Sequence, residues 1–182
     1  MKRIIQLALT AVVAVFALTP AVQADPVSVA TRPAPAIAPG VWVNGSPTTI
    51  AAQKGRVVVL LFWTHQCINC KHNLGFWNDW ANTYRGTDVT ILSVHTPETS
   101  SERVIANVRR FVKERGLQFP VVTDNSNATW DAYNVGAWPT EILIDKQGRI
   151  RYQFEGELNW DGSHEDRKVV ALIEQLRSER QM

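Results

Sequence analysis

The segment Leu61–Asn73, LFWTHQCINCKHN, holds both cysteines of the 182-residue chain, Cys67 and Cys70. Two thiols separated by two residues can serve four chemistries: a structural staple, a zinc ligand pair, a haem attachment site or a redox dithiol. Covalent haem attachment needs a histidine directly after the second cysteine, and Lys71 stands there. A structural zinc site needs four ligands at paired spacing; His65, His72, His95 and His164 are present, but no second paired motif accompanies the cysteines, and no metal is expected. A bridge across so short a loop removes little chain entropy, and a chain of this length builds its core without one. A redox dithiol is the reading that remains strongest.

That chemistry depends on the elements around the pair. Arg56–Trp63, RVVVLLFW, is a continuous β-branched and aromatic run, the pattern of a strand buried on both faces. From Ile68 the period changes: Trp77, Trp80, Ala81 and Tyr84 fall on one face of a helix running to Tyr84, with a kink expected at Gly75. Cys67 therefore opens a helix, where unpaired N–H groups and the positive end of the dipole stabilise a thiolate. Cys70, one turn later, lies deeper. The spacing predicts an exposed attacking thiol and a shielded resolving thiol.

Further along, Asp88–His95 reads as a second buried strand. Thr99 and Glu102 match a capping box ahead of a helical stripe of Val104, Ile105, Val108, Phe111 and Val112, which stops at Gly116. FPVVTD is a short strand, Asn127–Tyr133 a short helix, and Thr140–Asp145 and Arg149–Gly156 are strands around a KQG turn. A final helix covers about Asp166–Arg177. Asn44-Gly45 is a hairpin signal, predicting an N-terminal β-hairpin extension. The order predicts an α/β domain with a mixed central sheet and helices on both faces.

Lys2 and Arg3 precede an uncharged, mostly apolar run from Ile4 to Leu18, and AVQA ends at Ala24: the pattern of a secretory signal peptide over residues 1–24. An uncleaved anchor is the alternative. Residues 25–40, rich in Pro and Ala, read as a flexible leader, and residues 41–182 as one domain. Removing residues 1–24 from the 182 leaves 158, with Lys+Arg falling from 19 to 17 against 17 Asp+Glu. A near-neutral chain offers no basic field for nucleic acid or a membrane surface. Export places the dithiol in an oxidising, periplasmic setting.

VVVLLFWTHQCINCK, with VHTPE (Val94–Glu98), ATWDAYNVGAWPTEILID (Ala128–Asp145) and Gly156-Glu157, resembles the TlpA/ResA type of thioredoxin-like thiol–disulfide oxidoreductase, above all the thioredoxin-like domain of DipZ-type proteins. The resemblance covers roughly Val41–Leu176. It implies a thioredoxin-like fold and a cis bond between Trp138 and Pro139, beside the dithiol and open to an extended substrate, with Trp138, Pro139, Trp63 and Thr64 shaping the site. It implies no cofactor. It implies Cys67 as attacking and Cys70 as resolving thiol in the reduction of protein disulfides, with electrons from a DsbD/CcdA-like membrane donor. Thioredoxins carry a buried Asp where this chain has Leu61. Glu98 is a candidate substitute, and His65 a candidate for tuning Cys67.

Two other functions remain open. Thr64-x-x-Cys67 coincides with part of the peroxiredoxin motif, which would make the protein a thiol peroxidase, although Leu60 stands where that motif has Pro. Seven tryptophans are also compatible with a non-catalytic binding or assembly factor for cysteine-containing chains.

Overall fold

The computed structural model describes residues 31–179. The signal peptide and the start of the leader expected from the sequence lie outside the described residues. The sheet has seven strands in the order β1-β7-β6-β3-β4-β5-β2. These are β1 (Arg32–Pro33), β2 (Trp42–Val43), β3 (Val57–Trp63), β4 (Val89–His95), β5 (Val121–Thr123), β6 (Thr140–Ile144) and β7 (Arg149–Glu155). β3 is central and wholly buried, as its unbroken apolar run requires. It pairs parallel with β4 and antiparallel with β6, so the sheet is mixed.

Alternation along β3 builds two cores. Val57, Val59, Leu61 and Trp63 face α1 (Ile68–Thr83), α2 (Ile105–Glu114) and α4 (Glu165–Ser178). Val58, Leu60 and Phe62 face the other way, towards Tyr133 of α3 (Ala128–Tyr133) and the N-terminal segment. Helices thus cover both faces. α1 runs uninterrupted through Gly75, where an added Cβ would meet open space.

Two expectations about the N-terminal region change. Asn44 and Gly45 do adopt positive φ, but no hairpin follows. β2 pairs instead with β5, and Asn44 Nδ2 donates to the carbonyls of Leu117 (2.7 Å) and Phe119 (2.9 Å). A distant sheet edge outcompetes the local return strand. The described part of the supposedly flexible leader is also tied down. β1 pairs with β7, Tyr133 Oη donates to Pro35 O (2.7 Å), and Ala38 N donates to Thr129 Oγ1 (3.0 Å). Gly40 is needed for this approach, since a Cβ there would sit 1.9 Å from Thr123 O.

Candidate active site

Cys67 and Cys70 are joined by a disulfide. Cys67 is the N-cap of α1, in extended conformation (φ −61°, ψ 120°), and its Sγ accepts the backbone N–H of Cys70 at 3.1 Å. Cys67 is half-buried and Cys70 buried, while Ile68 and Asn69 between them are exposed. A strand that ends in the core and a helix that starts beside it leave Cys67 at the surface and turn Cys70 inward. In the reduced state, the sixteen-residue helix favours a thiolate on Cys67 through its N-terminal dipole.

The loop carrying Cys67 is held by a buried acid, Glu102, while Glu98, the candidate substitute for the thioredoxin Asp, points outward. Glu98 is exposed, and its part in the loop is played by its main chain. Glu102, fully buried, takes the inward position. Its Oε1 accepts from Thr64 Oγ1 (2.5 Å) and Gln66 N (3.1 Å). Its Oε2 accepts from Glu98 N (2.9 Å) and Thr99 N (2.8 Å). Burial pushes this carboxyl up, but the Thr64 hydroxyl and the N–H groups of Thr99, Gln66 and Glu98 outweigh it and hold it below the usual range. The capping box is present, yet it starts a short 3-10 turn, Ser100–Arg103, and α2 begins only at Ile105. That turn aims Glu102 at the loop.

Beside Glu102 stand two histidines. The rings of His65 and His95 stack with centroids 5.3 Å apart, and His65 Nδ1 is 3.0 Å from His95 Nε2. The backbone N–H of His65 donates to that same Nε2 (3.3 Å). A main-chain N–H can only donate, so His95 carries its ring proton on Nδ1, which is buried without a partner. Burial, reinforced by His65, pushes His95 down to about 4 against the pull of Glu102. His65 is lowered too, by burial first, with Glu102 opposing. Trp63 lies fully buried beneath the pair, edge-on to His95 at 5.1 Å, and so supports the loop from below.

The Trp138–Pro139 peptide bond is cis. Pro139 is buried and Trp138 half-buried, its ring against Trp130 with centroids 4.3 Å apart. Two residues on, Glu141 is fully buried opposite Leu61 in the ladder and bonds to Asn73 and Trp77 of α1. Glu141 went unnoticed in the sequence, although a lone acid inside the apolar strand TEILI was the signal. On the outer side of α1, a cleft of about 470 Å³ runs beside Asn69 and is lined by Phe154, Glu155, Glu157, Trp160 and Glu165. Trp160 is 68% exposed.

Comparison with known proteins matches residues 32–153 to the AhpC/TSA family. The chain is 34% identical over 119 residues to Protein DipZ of Mycobacterium bovis, covering 64% of this chain and 17% of that protein. It is 31% identical over 116 residues to the thiol-disulfide oxidoreductase ResA of Geobacillus kaustophilus, 64% of each. Among solved structures, a thiol-disulfide isomerase from Corynebacterium glutamicum superposes with a TM-score of 0.70 at 25% identity, over 81% of this chain and 98% of that one. The chain thus spans about a sixth of DipZ and just under two thirds of ResA. It belongs to the AhpC/TSA family, with a thioredoxin-like fold and the close cysteine pair of a thiol–disulfide oxidoreductase of the ResA type.

Proposed function

We propose that the protein reduces disulfides of exported proteins in the periplasm, and is itself re-reduced by a DsbD/CcdA-like membrane donor. The observation that carries this is the asymmetry of the pair, an accessible Cys67 at a helix N-terminus over a buried Cys70. Cys67 attacks the substrate disulfide and forms a mixed disulfide. Cys70 then attacks Cys67, releases the reduced substrate and closes the internal bond. Trp138 and Pro139 form the inner wall against which the substrate strand lies, Thr64 and Trp63 fix the loop under Cys67, and His65 tunes the thiol. The cleft at Asn69, with its exposed Trp160 and three glutamates, suits a polypeptide segment with a basic residue near its cysteine.

The decisive measurement is the reduction potential of the Cys67–Cys70 couple in defined thiol buffers. A value near or below ~ −270 mV supports the reductant, and one near ~ −120 mV makes the protein an oxidant and overturns the direction. Family membership also keeps peroxide in view as a substrate. Here, however, the Thr64 hydroxyl donates to Glu102 and is not free to position peroxide. Turnover of hydrogen peroxide with a sulfenic acid on Cys67 would reverse that judgement.

A further inference from the structure

Glu141 sits on β6, two residues beyond the cis bond, and is fully buried. Its Oε1 accepts from Asn73 Nδ2 (3.0 Å) and Trp77 Nε1 (2.9 Å). Its Oε2 is buried with no partner. The rest of the strand is Thr140, Ile142, Leu143 and Ile144, and packing on this strand uses only one of the two carboxyl oxygens. A buried carboxyl oxygen left open is costly and calls for an explanation.

Asn73 and Trp77 are three and seven residues after Cys70, and so continue its stripe down α1. Glu141 therefore grips the two residues directly below Cys70 on the helix. Across the ladder it faces Leu61, which shares one core cluster with Cys70 and Trp77. The titratable groups that act on it are Tyr152 on β7 and Glu165 on α4, with the Tyr152 hydroxyl donating to Glu165, and Cys70 stands three residues before Asn73 on α1.

We propose that Glu141 is the general base, and in reverse the general acid, that moves the proton of Cys70 during thiol–disulfide exchange. The inference rests on the dithiol reading above and assigns a residue to its second step. Cys70 gives its S–H proton to Glu141, and its sulfur attacks Cys67 Sγ. The Cys67–substrate bond breaks, and the substrate sulfur leaves with the electron pair as a thiolate, which takes a proton from solvent. The Cys67–Cys70 bond forms, and the dithiol has passed two electrons to the substrate. Glu141 ends protonated. That is the form the disulfide-bonded structure favours, since burial, with a small push from Glu165, raises the carboxyl to about 8 against the bonds from Trp77 and Asn73. When the donor later reopens the disulfide, Cys70 leaves as a thiolate and takes this proton back.

The test separates the two steps. The reduced full chain is mixed in a stopped-flow instrument with the disulfide of 5-thio-2-nitrobenzoate. Attack by Cys67 releases one thiolate in a phase that depends on reagent concentration, and resolution by Cys70 releases the second in a phase that does not. Glu141→Gln retains an oxygen for Asn73 and Trp77 but cannot take a proton. It should leave the first phase unchanged and slow the second at pH 7 on the order of 10²-fold, with the rate then rising about tenfold per pH unit. Glu141→Asp should recover part of the second phase. A second phase in Glu141→Gln within twofold of the unmodified chain, with the same pH profile, overturns the proposal. If Glu141→Gln does not fold, Glu141→Asp decides: it should slow the second phase several-fold and leave the first unchanged, and an unaltered second phase overturns the proposal. No first phase at all would instead remove the exchange reading itself, and this step with it.

Discussion

Replacing Glu102 with Gln tests how the loop ahead of the reactive cysteine is held. The carboxylate accepts four hydrogen bonds, two on each oxygen, from Thr64 Oγ1, Gln66 N, Glu98 N and Thr99 N. An amide brings one accepting oxygen and one NH₂. Its best orientation gives the oxygen to Glu98 and Thr99 and turns the NH₂ towards Thr64 and Gln66. Thr64 can rotate its hydroxyl to accept, but Gln66 N can only donate and is left facing another donor. One charge-assisted bond, worth ~1.5–3 kcal/mol, is lost, and the others fall to neutral strength. With some relaxation of the exposed side of the loop, the expected loss is about 3 kcal/mol, in a domain with ~5–15 kcal/mol in all. At a urea slope of ~2 kcal/mol/M, the midpoint should drop by about 1.5 M at pH 7. Glu102 titrates below its ordinary value of 4.5 in the fold. Its stabilisation is therefore complete above about 4.5 and disappears as the pH falls through the folded value, so the gap between the two proteins should close in acid. A loss at pH 7 under about 1 kcal/mol, or a gap that persists in acid, would refute the account of four charge-assisted bonds.

Further outcomes follow from the same groups. His95→Phe keeps a ring against Trp63 but cannot titrate. Because His95 is lowered from 6.5 to about 4, the unfolded chain binds the extra proton between those values, so stability falls as the pH drops through that window, by about 3 kcal/mol. Compared at each pH from 4 to 7, the urea midpoint of the unmodified chain should fall relative to that of the variant as the pH drops. Glu141→Gln should change stability with the opposite sign. Its carboxyl is raised from 4.5 to about 8, so the unmodified chain should lose roughly 5 kcal/mol relative to the variant as the pH rises through that range. Trp138→Ala removes the contact with Trp130 and should cost about 2 kcal/mol, since the ring is only half-buried. If Trp138 limits what reaches Cys67, the same change should raise the rate on a folded protein disulfide relative to a small-molecule one. An unchanged ratio would leave Trp138 with a packing role alone.

Regular elements were legible because their periods are strong: the apolar run of β3, the aromatic stripe of α1 and the final helix announce themselves. The resemblance then supplied the topology. What escaped were contacts made across long stretches of chain. Asn44-Gly45 has the composition of a hairpin, but edge pairing with β5 decides where β2 goes, and that edge lies about 75 residues away. The Thr99–Glu102 signature has the form of a helix cap, and nothing in its spacing points its acid towards the site. Glu98 is the acid that directly follows the second strand and so is the nearer candidate by sequence, yet it is exposed, while the 3-10 turn Ser100–Arg103 carries Glu102 inward. Glu141 had no local signature except its oddness, since its partners on α1 lie 64 and 68 residues earlier in the chain.

The first described residues also decide how the sheet meets its surroundings. Both of its rims, β1 and β2, come from a segment only twelve residues long, Arg32–Val43. One is laid against β7 and the other against β5. Bare strand edges are templates for a second chain, and here a single stretch of backbone covers part of each with a two-residue strand. The arrangement also sets an order of assembly. Arg32 pairs with Ile150 and Trp42 with Val122, so the first part of the domain to be made has no partner strand until the later strands exist. Until then the molecule has two sticky sides, and a nick or truncation ahead of Val43 would expose them together, leaving the dithiol chemistry intact on a body prone to clump.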